Sequence, residues 1–213
     1  MRRFEIIDCE QRSEPWFRAR AGRLTGSVAA DIFATLKSGG EPACRRDLRT
    51  RLVVERLTGK PQEDDFQNAD MRRGIELEPA ARKAYEARTG NLVEQTGFLA
   101  HTDLHIGCSL DGHVGDFEGI VELKCPRSAR HFAYLKAKAL PTEHRYQIVH
   151  NLFVSGAAWC DFVSYDPTMP DRLQVFVVRV LRDEKEMASY EFAARQFLKE
   201  VEAEYLAALE FAA

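Results

Sequence analysis

The segment CSLDGHVGDFEGIVELKCP, residues 108–126, decides the fold because two short runs in it alternate apolar and charged side chains. Side chains point alternately to the two faces of a β-strand, so Glu122 and Lys124 share one face while the apolar residues around them take the other. Residues 113–118, with glycines on either side, supply a reversal of the chain. The segment therefore predicts an antiparallel hairpin that brings Asp111 beside Glu122, with Lys124 next in line.

This hairpin would place two carboxylates and a lysine in one small region. Two carboxylates this close repel each other and raise each other's pKa unless a cation lies between them. Hard carboxylate oxygens suit Mg²⁺, which keeps several waters and shares oxygens with a phosphate substrate. A neighbouring lysine helps a bound water lose its proton or neutralises the attacked phosphate. The segment therefore predicts a phosphodiesterase site, although the spacing alone is more often that of the solvated face of an antiparallel hairpin.

Length and composition indicate a soluble globular protein. The chain has 213 residues, of which 45% are hydrophobic and 30% charged, enough for one domain with a real core. Its apolar stretches are too short to span a bilayer, and the N-terminus has no apolar signal region, so we expect a cytoplasmic location without a membrane partner. Five cysteines without a CxxC pair are expected to be reduced thiols. A net charge of -3 gives no global attraction for nucleic acid, so local patches or metal ions would have to hold DNA.

Apolar periodicity and turn residues predict helices first and then a mixture of strands and helices. The predicted helices cover residues 13–33 with a break at 22–26, a basic stretch ending at Gly59, and residues 70–89, 127–138, 142–154 and 183–208, with a loop over 37–43. The predicted strands cover residues 91–101, 103–113, 119–125, 159–166 and 173–181. Asp183 and Glu186 resemble a capping box at the start of the last helix. This order predicts an α/β fold with a mixed central sheet flanked by helices, preceded by an N-terminal helical region.

Several longer motifs carry a family resemblance. SLDG and ELKCP match an active-site motif, RGIELEPAARKAYEARTG matches a helix that bears a third acidic residue, and PWFRARAGRLTGS matches an N-terminal segment. AAWCDFVSYDPTM and VFVVRVLRDEKEMASYEF match two late strands and a last helix. Together they resemble the lambda-type, YqaJ-like exonucleases of phage recombination, a branch of the PD-(D/E)xK nuclease superfamily. The resemblance covers nearly the whole chain from Trp16 and is weakest over residues 37–67.

The resemblance implies both an architecture and an activity. It implies a restriction-endonuclease-like fold in a single domain, residues 1–213, with an N-terminal helical part at 1–67 and a nuclease core at 68–213. The implied activity is a Mg²⁺-dependent 5′ to 3′ exonuclease on double-stranded DNA that releases mononucleotides and leaves 3′ overhangs for strand annealing. Two Mg²⁺ ions, replaceable by Mn²⁺, a homotrimeric ring around the duplex, and a phage single-strand annealing protein in a bacterial host are implied as cofactors and partners.

The resemblance also assigns roles to individual residues. It implies metal ligands at Asp111, Glu122 and the Leu123 carbonyl, a catalytic lysine at Lys124, a supporting acid at Glu78, and a site-facing glutamine at Gln147. Many relatives have a second glutamine soon after the first, whereas Val149, His150 and Asn151 follow Gln147 here, so a second amide contact is not predicted.

A processive 5′ to 3′ enzyme also needs a pocket that draws the new 5′-phosphate forward after each cut. Guanidinium and hydroxyl groups at a helix N-terminus suit that task. Arg20, Thr25 and Ser27 form such a set, at matching places in the family, with a helix expected to begin near Ser27. The alternative to a phosphate pocket is that Arg20 is only a solvated helix charge and that Ser27 only caps a helix.

Other interpretations stay open at this point. Glu78 and Gln147 are also ordinary polar helix positions, and neither His113 nor His150 can be assigned to the site or excluded from it. Four arginines form either a solvated helix face or a grip on DNA phosphates: Arg45, Arg46, Arg49 and Arg51. The alternatives for the whole protein are an endonuclease or junction resolvase of the same fold, and a non-catalytic DNA-binding recombination module.

Overall fold

The computed structural model describes residues 2–37, 39–62 and 69–211, and these form six α-helices and eight β-strands. The helices are α1 Glu14–Arg20, α2 Ala43–Thr58, α3 Ala69–Thr89, α4 Ser128–Ala137, α5 Arg145–Ser155 and α6 Glu184–Glu210. The strands are β1 Phe4–Ile7, β2 Leu24–Thr25, β3 Phe98–His101, β4 Ile106–Cys108, β5 Gly112–Val114, β6 Gly119–Lys124, β7 Trp159–Tyr165 and β8 Val175–Leu181. Ser38, in the predicted loop, and the expected boundary between residues 67 and 68 lie outside the described residues.

The strands build two mixed sheets. The first has the order β1-β3-β4-β2 and the second the order β5-β6-β7-β8. In the first sheet β2 runs parallel to β4, and in the second β6 runs parallel to β7, while the other neighbours are antiparallel. The predicted α/β class, with mixed sheet and flanking helices, is confirmed, but the single central sheet of the prediction is divided into two.

The division falls at residues 109–111, inside the predicted strand 103–113. The chain leaves the first sheet after Cys108 and enters the second at Gly112. Side chains of the N-terminal segment hold this crossing, since Gln11 donates to the Leu110 carbonyl at 2.9 Å and Trp16 donates to the Ser109 hydroxyl at 2.7 Å. Asp111 therefore lies at the junction of the two sheets.

The helix predicted over residues 13–33 is short. It ends at Arg20, and β2 and two 3-10 turns, Gly26–Val28 and Asp31–Phe33, follow it. The chain turns at Gly22, whose φ of 71° is in the left-handed region that favours glycine. Helix α2 holds this turn from 33 residues away, because the buried Glu55 accepts from the Gly22 amide at 2.7 Å and Arg56 donates to the Gly22 carbonyl at 3.2 Å.

The alternation along β6 divides the core. Val121 and Leu123 pack with Ala81 and Tyr85 of α3 in a smaller apolar cluster. On the opposite face, Ile120 belongs to the larger cluster that includes α5, α6 and the first sheet. Helix α5 contacts β3 and β4 of the first sheet and β7 of the second, so this helix bridges the two sheets on the face that carries Glu122.

The longest helices begin and end where capping residues stand. The Asp183 carboxylate accepts from the Lys185 and Glu186 amides at 2.8 and 3.0 Å, as expected at the start of α6. The Glu186 side chain pairs with Arg145 of α5 instead of completing the reciprocal cap. Gly90, with φ 78°, follows the end of α3 as predicted.

In the ranges that the structure describes, no helix combines the length and apolar character needed to cross a membrane.

Gly119, at the start of β6, provides a test of the packing between β6 and β7. A Cβ at this position would lie 2.2 Å from ring atoms of Trp159, so Gly119→Ala should destabilise the protein by about 1–3 kcal/mol through overpacking. Gly74→Ala, in α3, meets no atom within 4 Å and should stabilise the helix by about 1 kcal/mol. Urea unfolding measures both variants, and equal stability of the two would contradict this packing.

Candidate active site

The β5–β6 hairpin brings Asp111 and Glu122 together. Gly112 pairs with Val121 across the hairpin, so Asp111, one residue earlier, lies opposite Glu122. The Asp111 carboxylate accepts a hydrogen bond from the Leu123 amide at 2.6 Å. The register expected from the alternation of residues 108–126 is therefore present, and it aligns the acid of the sheet junction with the charged face of β6.

Both oxygens of the Glu122 carboxylate have hydrogen-bond donors. Glu122 is only 2% exposed, and its Oε1 accepts from Lys124 Nζ at 2.5 Å and from Gln147 Nε2 at 2.6 Å. Its Oε2 accepts from Asn151 Nδ2 at 3.1 Å. Gln147 and Asn151 are four residues apart on α5 and so lie on one face of that helix. The helix and the strand together fix the orientation of the carboxylate.

Glu78 approaches the same site from α3. Arg82 donates to Glu78 at 3.1 Å and, through the same nitrogen, to the Asp111 carbonyl at 3.3 Å. Arg12, in the left-handed conformation with φ 69°, lies 3.6 Å from the other Glu78 oxygen. The two arginines hold Glu78 beside Asp111, and neither arginine was predicted from the sequence.

The electrostatics follow from placing one buried acid, Glu122, and two half-buried acids, Asp111 and Glu78, beside one lysine. Burial raises the pKa of Glu122 to about 7, and Lys124 only partly offsets it. Burial likewise raises the pKa of Asp111, again opposed by Lys124, and burial together with Asp111 raises the pKa of Glu78. Burial disfavours the charge of Lys124, but Glu122 and Asp111 outweigh it, so the lysine pKa is raised and the side chain stays protonated at neutral pH.

The donor set fits a hard divalent cation. The described residues contain no group of three or more His, Cys, Asp and Glu side chains that could hold a metal ion alone. Mg²⁺ does not require such a cage, because it uses one or two carboxylates and completes its shell with water and substrate oxygens. Asp111 and Glu122, both destabilised in their charged forms by burial, are the carboxylates that such a cation would stabilise. Leu123 follows Glu122 and donates its amide to Asp111.

The candidate phosphate ligands lie on α1 and around the end of β2, where Gly26 lies against Gln147 and Asn151. The Arg20 guanidinium stacks over the Trp16 ring at 4.2 Å, and Trp16 in turn donates to Ser109. The hydroxyls of Thr25, which is buried, and Ser27, which is exposed, are 3.5 Å apart. The prediction of a helix beginning near Ser27 is wrong, because the 3-10 turn Gly26–Val28 forms there instead. The guanidinium and hydroxyls remain as the candidate phosphate ligands.

The arginines of α2 lie mainly against α6. Arg45 pairs with Glu41 at 2.6 Å and with Glu200 at 2.7 Å. Arg49 pairs with Glu41 and, at 2.8 Å, with Glu204. Arg46 is exposed and lies 3.0 Å from Asp47, while Arg51 is half-buried. The pairs of Arg45 and Arg49 with carboxylates favour the structural interpretation of this charge run over a grip on DNA.

Two histidines left open by the sequence have structural contacts. His113 bonds the Gly115 carbonyl at 2.9 Å and stacks on Phe117 in the β5–β6 turn. His150 is buried between the Tyr190 hydroxyl and the Gly107 carbonyl. Asn151, like Arg12 and Arg82, was not assigned to the site from the sequence, and it supplies a second amide contact to Glu122. Its spacing of one helical turn from Gln147 was the available signal.

The mixed α/β fold and the cluster of Asp111, Glu122 and Lys124 are consistent with the PD-(D/E)xK nucleases. The profile of the YqaJ-like viral recombinase domain matches residues 15–158, more than half of the chain. The chain therefore belongs to the YqaJ-like viral recombinase family, as the sequence motifs predicted.

Solved structures agree with this assignment. An alkaline exonuclease from Laribacter hongkongensis, LHK-Exo, is similar with a TM-score of 0.84 at 38% identity, over 94% of this chain and 98% of that chain. Its complex with dAMP gives the same TM-score and coverage at 37% identity. A phage-related exonuclease from Haemophilus somnus 129PT, with a TM-score of 0.65 at 16% identity over 84% and 93% of the two chains, shares the fold. A comparison with curated proteins found no match.

The raised pKa of Glu122 predicts a pH-dependent stability. With a folded pKa of about 7 against an ordinary value of 4.5, the folded protein binds this proton more tightly than the unfolded chain. The stabilisation is complete below the ordinary pKa and is lost as the pH rises through about 7. The Tm of the metal-free protein should therefore fall between about pH 5 and about pH 8, and Glu122→Gln should remove part of that fall.

Mg²⁺ provides the complementary measurement. A cation binds the deprotonated carboxylates, so Mg²⁺ should raise the Tm more at about pH 8 than at about pH 5. Equal stabilisation at both values, or an unchanged pH dependence in Glu122→Gln, would contradict this account of Glu122.

Proposed function

We propose that this protein is a Mg²⁺-dependent 5′ to 3′ exonuclease that digests double-stranded DNA from its ends. It releases 5′-mononucleotides and leaves 3′ single-stranded overhangs for phage recombination by strand annealing. The observation that carries the proposal is the joint placement of Asp111, Glu122 and Lys124 on the β5–β6 hairpin, with Glu122 held by two amides of α5. Family membership supports it, as do the exonucleases of similar structure.

The residues of the hairpin divide the chemical work. Asp111, Glu122 and the Leu123 carbonyl would hold Mg²⁺, in one or two ions and replaceable by Mn²⁺, which supplies charge neutralisation and acidifies an attacking water. The protonated Lys124 is suited to donating to an oxygen of the attacked phosphate, where negative charge develops. Gln147 and Asn151 hold Glu122 in one orientation, and Glu78 adds negative charge beside Asp111.

The direction of digestion depends on the pocket of Arg20, Thr25 and Ser27. A guanidinium and two hydroxyls suit a terminal phosphate monoester. Each cut in the 5′ to 3′ direction leaves such a phosphate on the new end, so the pocket would pull the strand forward by binding it. The dAMP complex of LHK-Exo supports a deoxynucleoside monophosphate as the product.

The assembly and its setting belong to the same proposal. A homotrimeric ring around the duplex would keep a chain of net charge -3 on its DNA, and an annealing protein would receive the emerging 3′ strand. We place this activity in the cytoplasm of a bacterial host, in a single domain over residues 1–213. Gel filtration with light scattering tests the ring, since a monomer that digests distributively would contradict it.

The first activity prediction concerns the hairpin. Asp111→Asn, Glu122→Gln and Lys124→Ala should each lower the rate of nucleotide release by about 10²- to 10⁴-fold or more, since the three act as one unit. Glu118→Gln is the matched control, because Glu118 is an exposed carboxylate in the same hairpin, and it should retain wild-type activity. Release of acid-soluble nucleotides from a linear duplex measures the effect. Near wild-type turnover in any of the three would remove the assignment, and cutting of closed circular DNA would favour an endonuclease.

The second activity prediction concerns the 5′-phosphate. The protein should digest 5′-phosphorylated ends faster than 5′-hydroxyl ends, and Arg20→Ala should lower that ratio by about tenfold or more, because a charge-assisted contact contributes about 1.5–3 kcal/mol. Arg18→Ala on the same helix loses only an exposed pair with Glu14 and should keep the ratio. A linear duplex labelled at each terminus in turn gives both the ratio and the polarity. An unchanged ratio in Arg20→Ala would show that the pocket lies elsewhere.

A further inference from the structure

Two amide side chains of α5 face the metal-site carboxylate on one side and the candidate phosphate pocket on the other. Gln147 and Asn151 donate to separate oxygens of Glu122, at 2.6 and 3.1 Å. The same two side chains lie against Gly26, which stands between Thr25 and Ser27 of the pocket. A Cβ on Gly26 would be 2.7 Å from Asn151 Oδ1 and 3.4 Å from Gln147 Cγ.

The close approach of the backbone at position 26 to helix α5 explains why this residue is a glycine. Its backbone is not in the left-handed region that L side chains avoid, since it is absent from the residues with positive φ. Gly26 is buried in the turn Gly26–Val28, and the atom that a methyl group would meet first belongs to Asn151. Because Gly26 has no side chain, the segment of Thr25 and Ser27 can approach α5 closely enough to contact the Asn151 amide, which holds Glu122.

Asn151 itself is suited to a fixed position. It is 2% exposed, so its amide cannot exchange freely between protein and water. One end of that amide donates to Glu122, and the oxygen at the other end faces Gly26. Because the Asn151 side chain is short, buried and in contact at both ends, a displacement of Gly26 would move Glu122, and the reverse.

We propose that Asn151 is a positioning residue that sets the spacing between the metal site and the 5′-phosphate pocket, through its contact with Gly26. The inference rests on the proposed function, because it takes Glu122 as a metal ligand and Thr25 and Ser27 as phosphate ligands. Its consequence is that cation binding and recognition of the terminal phosphate are coupled. Loosening the contact between Asn151 and Gly26 should weaken both properties together.

A double-mutant cycle with two readouts tests the coupling. Calorimetry with Ca²⁺ as the probe measures cation affinity without cleavage, and digestion with Mg²⁺ of 5′-phosphorylated and 5′-hydroxyl duplexes gives the end preference. Asn151→Ala removes a donor to Glu122 and should weaken Ca²⁺ binding by about 10- to 100-fold, the usual effect of losing an outer partner of a metal ligand. It should also lower the end preference.

The partner variants separate positioning from folding. Gly26→Ala should weaken both properties, since its methyl group displaces Asn151. In the double variant the methyl group enters the space that Asn151 leaves, so the two effects should be less than additive. Ser155→Ala is the matched control, because Ser155 is a buried residue of α5 whose hydroxyl bonds the Asn151 carbonyl and the Ala157 amide, and it should change neither readout. Thermal unfolding verifies that each variant is folded.

The outcomes discriminate between the coupling and the function on which it rests. Unchanged Ca²⁺ affinity in Asn151→Ala overturns the inference whatever the activity, and so do strictly additive effects in the double variant. Loss of Ca²⁺ affinity with an intact end preference overturns the coupling and leaves the metal site in place. A wild-type protein that binds Ca²⁺ but does not prefer 5′-phosphorylated ends would refute the proposed pocket, and with it the coupling, while Asp111 and Glu122 would keep their proposed role.

Discussion

The constraint on which the rest of this structure depends is a buried carboxylate, Glu122, beside a half-buried one, Asp111. A buried charge without partners is strongly unfavourable, and Asp111 and Glu122 also repel each other. Two surrounding elements contribute two compensating groups each: β6 contributes the Leu123 amide and Lys124, and α5 contributes the amides of Gln147 and Asn151. Even so, the pKa values of both acids stay raised. The protein therefore holds a site whose charge is under-compensated, which is the condition that favours binding of a cation.

The strand β6 makes this arrangement possible because it serves two cores at once. One face packs on α3, which carries Glu78, and the other faces α5, which carries Gln147 and Asn151. A slip of one residue in the pairing of β6 would exchange these faces and put the acids against Tyr85. The parallel pairing with β7 over the whole of β6 opposes such a slip, so the same register secures the fold and the site.

Sequence reasoning succeeded where the pattern is local. The period of two around Glu122, the glycine after α3, and the aspartate before α6 were each sufficient to place an element, and the longer motifs identified the family. It failed where distant residues decide. The break expected at residues 22–26 is present, but the helix expected to continue to residue 33 is replaced by β2 and two 3-10 turns. Glu55, on another helix, holds the Gly22 turn, and β4 pairs with the residues that follow it. The four residues of β1 and the two of β2 are too short to show a period and are extended because β3 and β4 pair with them. Asn151 gains its role only from the way α5 lies across both sheets.

The hold of α2 on the Gly22 turn also determines how this protein can be divided and recombined. Glu55 and Arg56 bond the amide and the carbonyl of Gly22, so the segment that carries Arg20 and Thr25 takes its course from a helix more than thirty residues further along the chain. Consider a chimaera that takes the segment around Gly22 from a relative but keeps its own α2. Its Glu55 and Arg56 would then face a turn of different sequence. The segment around Gly22 and helix α2 must therefore be exchanged together. A crossover placed after α2 keeps their contacts, whereas a crossover placed between them breaks the match.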